Sequence, residues 1–117
     1  MDFSFSEEEL ELKKIYKEYA EERVRPHTLE IDRGVFDSGI LSKEMHQLGF
    51  CGILVPKEYG GIGGSYVHYA IAVEEVAKAS GPMAKAVCGQ AIMCFPILKY
   101  GTERQKQEYV VPCIETA

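Results

Sequence analysis

Apolar residues recur at helical spacing in several stretches of the chain, and a helix-starting signal stands before most of them. Ser6-Glu7-Glu8-Glu9 has the form of a capping box, in which the serine side chain accepts from an early backbone N–H and Glu9 reaches back to the cap. Glu7, Glu8, Glu9 and Glu11 also place negative charge at the positive end of the helix dipole. Leu12, Ile15, Tyr16 and Tyr19, with Leu10 beside them, then form one apolar side. Pro26 interrupts this pattern, and Leu29 and Ile31 predict a second short helix before Gly34. Ser42 is placed to cap a short helix carrying Met45 and Leu48, with Gly49 as the left-handed residue after it. The apolar run Cys51 to Val55 is short and strand-like, and Pro56 and the glycine-rich stretch Tyr59 to Gly64 follow it. Ser65 opens a third helix with Tyr69, Ala70, Val73, Val76 and Ala77 on one face. Ser80-Gly81-Pro82 ends that helix and primes the next, since proline suits a first turn.

The helix from Met83 to about Tyr100 is apolar almost all round, which predicts that other elements surround it. Gly101 closes it. Thr102-Glu103-Arg104-Gln105 is a second capping box before a polar helix whose apolar positions are Tyr109, Val110 and Ile114, and Pro112 kinks or ends that helix. The expected architecture is all-α: an orthogonal bundle of about five or six helices around a buried apolar helix, residues 83–100, with one long glycine loop in the middle.

Composition narrows the function classes. The 117 residues are 46% hydrophobic and 26% charged, which fits a globular domain and excludes intrinsic disorder. Thirteen basic against eighteen acidic residues give a net charge of −5 with no basic stripe, so a nucleic-acid partner is not expected. The cysteines, Cys51, Cys88, Cys94 and Cys113, form no CxxC pair and no Cys/His cluster with zinc-ligand spacing. With acidic residues from Asp2 onward there is no secretory signal, and the expected compartment is cytoplasmic. The most apolar stretch, Ala86 to Leu98, is bounded by lysines and is shorter than the roughly 20 residues a bilayer span takes, so no membrane association is expected.

Candidate chemistry is sparse. The glycine loop fits neither GxGxxG nor a P-loop and reads as a tight connection needing positive φ. His27, His46 and His68 fall on three separate elements with no metal-ligand spacing between them. Cys88 and Cys94 sit in the apolar helix, where burial makes a thiol inert. Small residues on that helix carry more information: Ala84, Cys88 and Ala91 share a face, with Gly89 beside them and Ile92 one turn beyond Cys88. They either let a neighbouring helix approach closely or leave a groove for an apolar ligand.

The order of these signals resembles the N-terminal helical domain of flavin-dependent acyl-CoA dehydrogenases. Tyr19-Ala20-Glu21-Glu22 leads through Pro26-His27 to Glu30-Ile31-Asp32-Arg33 as in the family's first-helix region. Leu48-Gly49-Phe50-Cys51-Gly52-Ile53 followed by Val55-Pro56-Lys57-Glu58-Tyr59-Gly60-Gly61 is similar to its LGxxGIxVPxEYGG segment. Glu74-Glu75-Val76-Ala77 and Pro96-Ile97-Leu98-Lys99-Tyr100-Gly101-Thr102-Glu103-Arg104-Gln105-Lys106 continue the register, so the resemblance covers essentially the whole chain.

The resemblance implies a three-domain flavoprotein: this helical domain at residues 1–117, a middle FAD-binding β-domain and a catalytic C-terminal helical domain, the last two absent from this chain. Such enzymes desaturate an acyl-CoA thioester between Cα and Cβ. A C-terminal-domain glutamate takes the α-proton, the β-hydride passes to the flavin, and an electron-transfer flavoprotein then accepts the electrons. The acyl chain of the family's substrate lies against the apolar helix, and the matching positions here are Ala84, Cys88, Gly89 and Ile92. No residue matches the catalytic glutamate, and none is assigned to FAD or to a metal. The chain alone is therefore expected to be inactive and to hold FAD weakly or not at all. A homo-oligomer is expected by the same resemblance. The reading from a different class is a free-standing, non-catalytic helical module that binds a partner protein or self-associates.

Overall fold

The computed structural model describes residues 1–115, and their regular secondary structure is entirely helical, with no strand among them. Helix α1, Glu7–Tyr19, begins at the expected capping box, with Ser6 Oγ accepting from Glu9 N and Glu9 accepting from Ser6 N. Its buried residue is Tyr16, with Leu12 and Tyr19 partly covered. Ile15 and Leu10 face solvent, so the apolar stripe is narrower than the spacing suggests. The chain continues through a wide π-type turn at Ala20–Val24 and a 3₁₀ turn at Arg25–His27 into α2, Thr28–Asp32.

Helix α3 runs Gly39–Gln47 and starts one turn earlier than expected: Ser42 lies inside it. Asp37 Oδ1 accepts from Gly39 N at 3.0 Å, so a carboxylate upstream does the work assigned to that serine. Leu41 and Met45 are buried, whereas Leu48 is exposed; Gly49 has the expected left-handed conformation at φ +82°. The Cys51–Val55 run is not a strand. It forms a 3₁₀ turn at Phe50–Gly52, and its carbonyls are met by the glycine loop: Ile62 N donates to Gly52 O (2.9 Å), Gly63 N to Val55 O (2.8 Å) and Gly64 N to Ile53 O (2.7 Å). A Cβ on Gly61 would fall on the Val55 carbonyl, so close backbone approach dictates that glycine.

Helix α4, Tyr66–Ala79, is capped by Ser65 Oγ accepting from His68 N at 3.1 Å. Its inner face is Ile71, Ala72, Glu75, Val76 and Ala79, while Ala70 and Ala77 point outward, against expectation. The helix is turned because Glu75, only 3% exposed, is buried with Lys78 Nζ at 2.8 Å and Lys13 Nζ of α1 at 3.8 Å. A polar residue thus occupies the α1–α4 interface, which hydrophobic periodicity cannot foresee.

Helix α5, Gly81–Tyr100, follows directly, with Ser80 as both the C-cap of α4 and the N-cap of α5. The apolar helix stands where the sequence places it, but within this chain it is covered on one side only. Met83, Ala84, Val87 and Cys94 are buried, whereas Ile92, Met93, Phe95 and Tyr100 are exposed. The shape explains this. The molecule measures 41 × 41 × 20 Å, and 20 Å is about two helix diameters, so no helix in such a slab can be wrapped all round. By length and composition alone, α5 is also sufficient to cross a membrane, so the stretch is longer than the thirteen-residue run suggests; its packing on α4 makes it a core helix on that side.

The second capping box, at Thr102 and Gln105, starts α6, Glu103–Gln105. A second wide turn, Lys106–Val110, leads into α7, Val111–Glu115. Pro112 does not end the helical path. Pro26 and Pro112 are handled alike: each stands second in the element that follows a five-residue wide turn. Widening the turn takes up the carbonyl that a proline ring displaces.

Replacing Gly61 by alanine is expected to destabilise the chain by at least about 3 kcal/mol, because backbone atoms must move. Gly34→Ala, at φ +69° but with open space around it, should lose only about 1–2 kcal/mol. Urea midpoints of the two variants check the contrast; equal midpoints would remove the close-approach argument.

Candidate functional site

On α5 the residues singled out in the sequence separate by burial. Ala84 is buried at the edge of the covered side, Cys88 is partly buried, Gly89 is exposed and Ile92 is 72% exposed. Cys88, Gly89 and Ile92 therefore meet on the open side of the helix, with Ala84 at its rim. Nothing lies within 4 Å of where a Gly89 Cβ would sit, so the space there is open rather than filled by a closely approaching helix.

The open side borders two apolar grooves. One, of about 440 Å³, is lined by Leu54, Tyr66, Tyr69, Ala91, Ile92 and Phe95. The other, of about 520 Å³, is lined by Met93, Pro96, Ile97, Tyr100, Gly101, Gln105 and Tyr109. Beneath the first lies a small, partly enclosed cavity of about 20 Å³, room for a single water. Its walls include Cys51, Ile53, Val55, Cys94 and Leu98, and it shares Leu54, Tyr69, Ala91 and Phe95 with the groove. Leu54, Tyr66, Tyr69 and Phe95 were not foreseen as site residues. Leu54 comes from an irregular turn, and Tyr69 sits at a position that helical spacing assigns to the core.

Polar groups near the grooves are few. Burial, and then the neighbouring Cys88 side chain, push the Tyr69 phenol up to about 12. Burial also raises the thiols of Cys51, to about 11, and Cys94, to about 12. Such thiols stay protonated near neutrality and are poor nucleophiles. The histidines remain apart, each with a structural partner. His27 stacks on Phe36 at 4.1 Å, and His46 donates from Nε2 to Ile114 O while Gln90 Nε2 approaches its Nδ1 at 3.2 Å. His68 Nε2 meets the Tyr16 hydroxyl at 2.6 Å. No group of three or more residues able to hold a metal ion occurs among the described residues.

Fold and site together define a flat helical domain whose longest helix presents an apolar, groove-bordered face without acid–base or nucleophilic machinery. Residues 6–116 match the family described as acyl-CoA dehydrogenase, N-terminal domain, and the chain belongs to that family, whose enzymes are flavin-dependent. It is 38% identical over 113 residues to the short-chain-specific acyl-CoA dehydrogenase of Clostridium acetobutylicum, covering 96% of this chain and 30% of that protein. It is 34% identical over 113 residues to a subunit of the caffeyl-CoA reductase–Etf complex of Acetobacterium woodii, covering 94% of this chain and 30% of the relative. The structure of butyryl-CoA dehydrogenase from Megasphaera elsdenii superposes with a TM-score of 0.84 at 30% identity, over 98% of this chain and 31% of that one. The chain thus spans about 30% of the length of the relatives it matches.

The burial of His68 sets a pH dependence. Burial lowers the His68 pKa below its ordinary value of 6.5, so protonation favours the unfolded chain. The contribution is present above about 6.5 and is lost as the pH falls through the window beneath it. Stability measured by urea at pH 7 and at successively lower values should decline before the carboxylates titrate, and His68→Gln should flatten that first decline. An unchanged slope in the variant would assign it to other groups.

Proposed function

We propose that this chain is the acyl-facing domain of a flavin-dependent acyl-CoA dehydrogenase, an oxidoreductase that desaturates an acyl-CoA thioester between Cα and Cβ. The open side of α5 is one wall of its acyl pocket, with Ala84, Cys88, Gly89 and Ile92 as the positions facing the acyl group. The observation that carries the reading is Gly89. A glycine inside a helix is less stable than alanine by roughly 0.5–1 kcal/mol, and nothing around Gly89 would obstruct a methyl group. The sequence forgoes that stability where a bound chain needs room. The apolar lining gains about 0.8 kcal/mol for each methylene it covers.

FAD does not fit the described residues by themselves. The grooves are open and apolar, and no cluster of buried, unpartnered donors faces them for a diphosphate or an isoalloxazine ring. In this reading a β-domain and a C-terminal domain outside these residues hold the flavin and the catalytic base, and no chemical step is assigned to this chain. Its contribution is to bind and orient the acyl group and to exclude water from it. The partners are the acyl-CoA substrate, further copies of the polypeptide and an electron-transfer flavoprotein; the Acetobacterium relative, by its name, belongs to a complex with Etf. The proposed compartment is the cytoplasm.

Three measurements test the reading. Gly89→Ala should stabilise the chain by roughly 0.5–1 kcal/mol. In the full-length enzyme Gly89→Leu should lower kcat/KM for acyl-CoA by roughly tenfold or more. Unchanged turnover with the leucine would remove Gly89 from the pocket wall. The 117 residues alone should self-associate and bind a hydrophobic dye, because an apolar face of this extent seeks cover. A dye-negative monomer by light scattering would show the face to be covered already and would favour the autonomous-module reading.

A further inference from the structure

Leu54, Tyr69, Ala91 and Phe95 line both the open groove and the small cavity beneath it, so together they form the partition between the two. Tyr69 stands in the first turn of α4, and its side chain lies beside Cys88 of α5. The phenol therefore spans the gap between the two helices at the level of the acyl-facing residues. No charged side chain lines the groove, which suits an uncharged hydrocarbon group.

We propose that Tyr69 is a specificity-determining residue that closes the inner end of the acyl groove and confines the enzyme to short acyl groups. This rests on the acyl-wall reading of α5. Behind the phenol lies space that is already partly empty, bounded by Cys51, Ile53, Val55, Cys94 and Leu98, all apolar or thiol side chains. Removing the ring joins that space to the groove and lengthens the apolar channel without placing a polar group in it. A methylene newly covered there is worth about 0.8 kcal/mol, or about fourfold in kcat/KM. Ala91 faces the same partition from α5, so added bulk there acts in the opposite direction.

The test is the full-length enzyme assayed with butyryl-, hexanoyl- and octanoyl-CoA. The wild type should favour butyryl-CoA. Tyr69→Ala should raise the hexanoyl-to-butyryl ratio of kcat/KM by roughly fourfold for each methylene accommodated. Ala91→Val should lower that ratio, and it carries the test if the tyrosine variant does not fold. A uniform loss of turnover across all three substrates, an unchanged profile in whichever variant folds, or a wild type that favours octanoyl-CoA overturns the proposal and leaves the acyl-wall reading standing. A wild-type enzyme that oxidises none of the three overturns the acyl-wall reading itself.

Discussion

One buried serine joins the two longest helices, and the rest of the domain is arranged around that joint. Ser80 donates its N–H to Val76 O at 2.9 Å, offers its carbonyl to Ala84 N at 3.0 Å, and accepts with its hydroxyl from Met83 N at 3.4 Å. One residue thus caps both helices, and α5 must fold back along α4. The two are unequal: α4 has 14 residues and α5 has 20, so α5 runs on past the start of α4 by about 9 Å. That overhang has no helix of the first core beneath it. It is supported instead by a second cluster, in which Val55 and Tyr59 of the glycine-loop region and Val110 of the C-terminal segment meet Cys94. The groove lies where support passes from α4 to the loop, at Tyr66, Tyr69 and Leu54. It is a consequence of helix lengths before it is a property of any one side chain.

Local signals explain which parts of this were legible. Ser6, Ser65, Ser80 and Thr102 satisfy orphan N–H groups within a few residues of themselves, so their role is written in adjacent sequence. The left-handed Gly49 is equally local. Apart from the start of α3, where Asp37 rather than Ser42 does the capping, the misreadings of packing involve partners distant in sequence. The rotation of α4 depends on Lys13, 62 residues before Glu75, and the non-strand character of 51–55 depends on the glycine loop that returns to meet it. The wide turns preceding Pro26 and Pro112 leave no compositional trace, because an ordinary helical pattern occupies them. Cys88, Gly89 and Ile92 could be singled out as candidates because they share one helix and match a family register. Leu54, Tyr66 and Tyr69 reach the groove beside Ile92 only through the tertiary fold.

Glu75 shows how an interface can be polar and still specify structure. A carboxylate that is 3% exposed needs its cations, and Lys78 and Lys13 supply them from α4 itself and from α1. Hydrophobic replacement of such a group is often neutral for stability, so its contribution lies in register. Sliding α1 along α4 by one turn would leave Glu75 without Lys13, whereas an all-apolar seam would tolerate the slip. The rotation that buries Glu75 also carries Tyr69 to the flank of α4 that meets Cys88 on α5. The ion pair at one side of α4 and the groove at the other are therefore settings of the same helix angle.

The open side of α5 then has a consistent energetic meaning. Ile92, Met93 and Phe95 leave apolar area in water, and Gly89 gives up helix propensity; each choice weakens the domain taken alone. Single exposed apolar residues are ordinary on protein surfaces, but here they are contiguous and border open grooves. Such a face is stable only when something else covers it. In the proposed reading, where the pocket is shared between domains, binding substrate and closing the interface would draw on the same apolar area, so the domain's incomplete core would be the condition for its contribution to recognition.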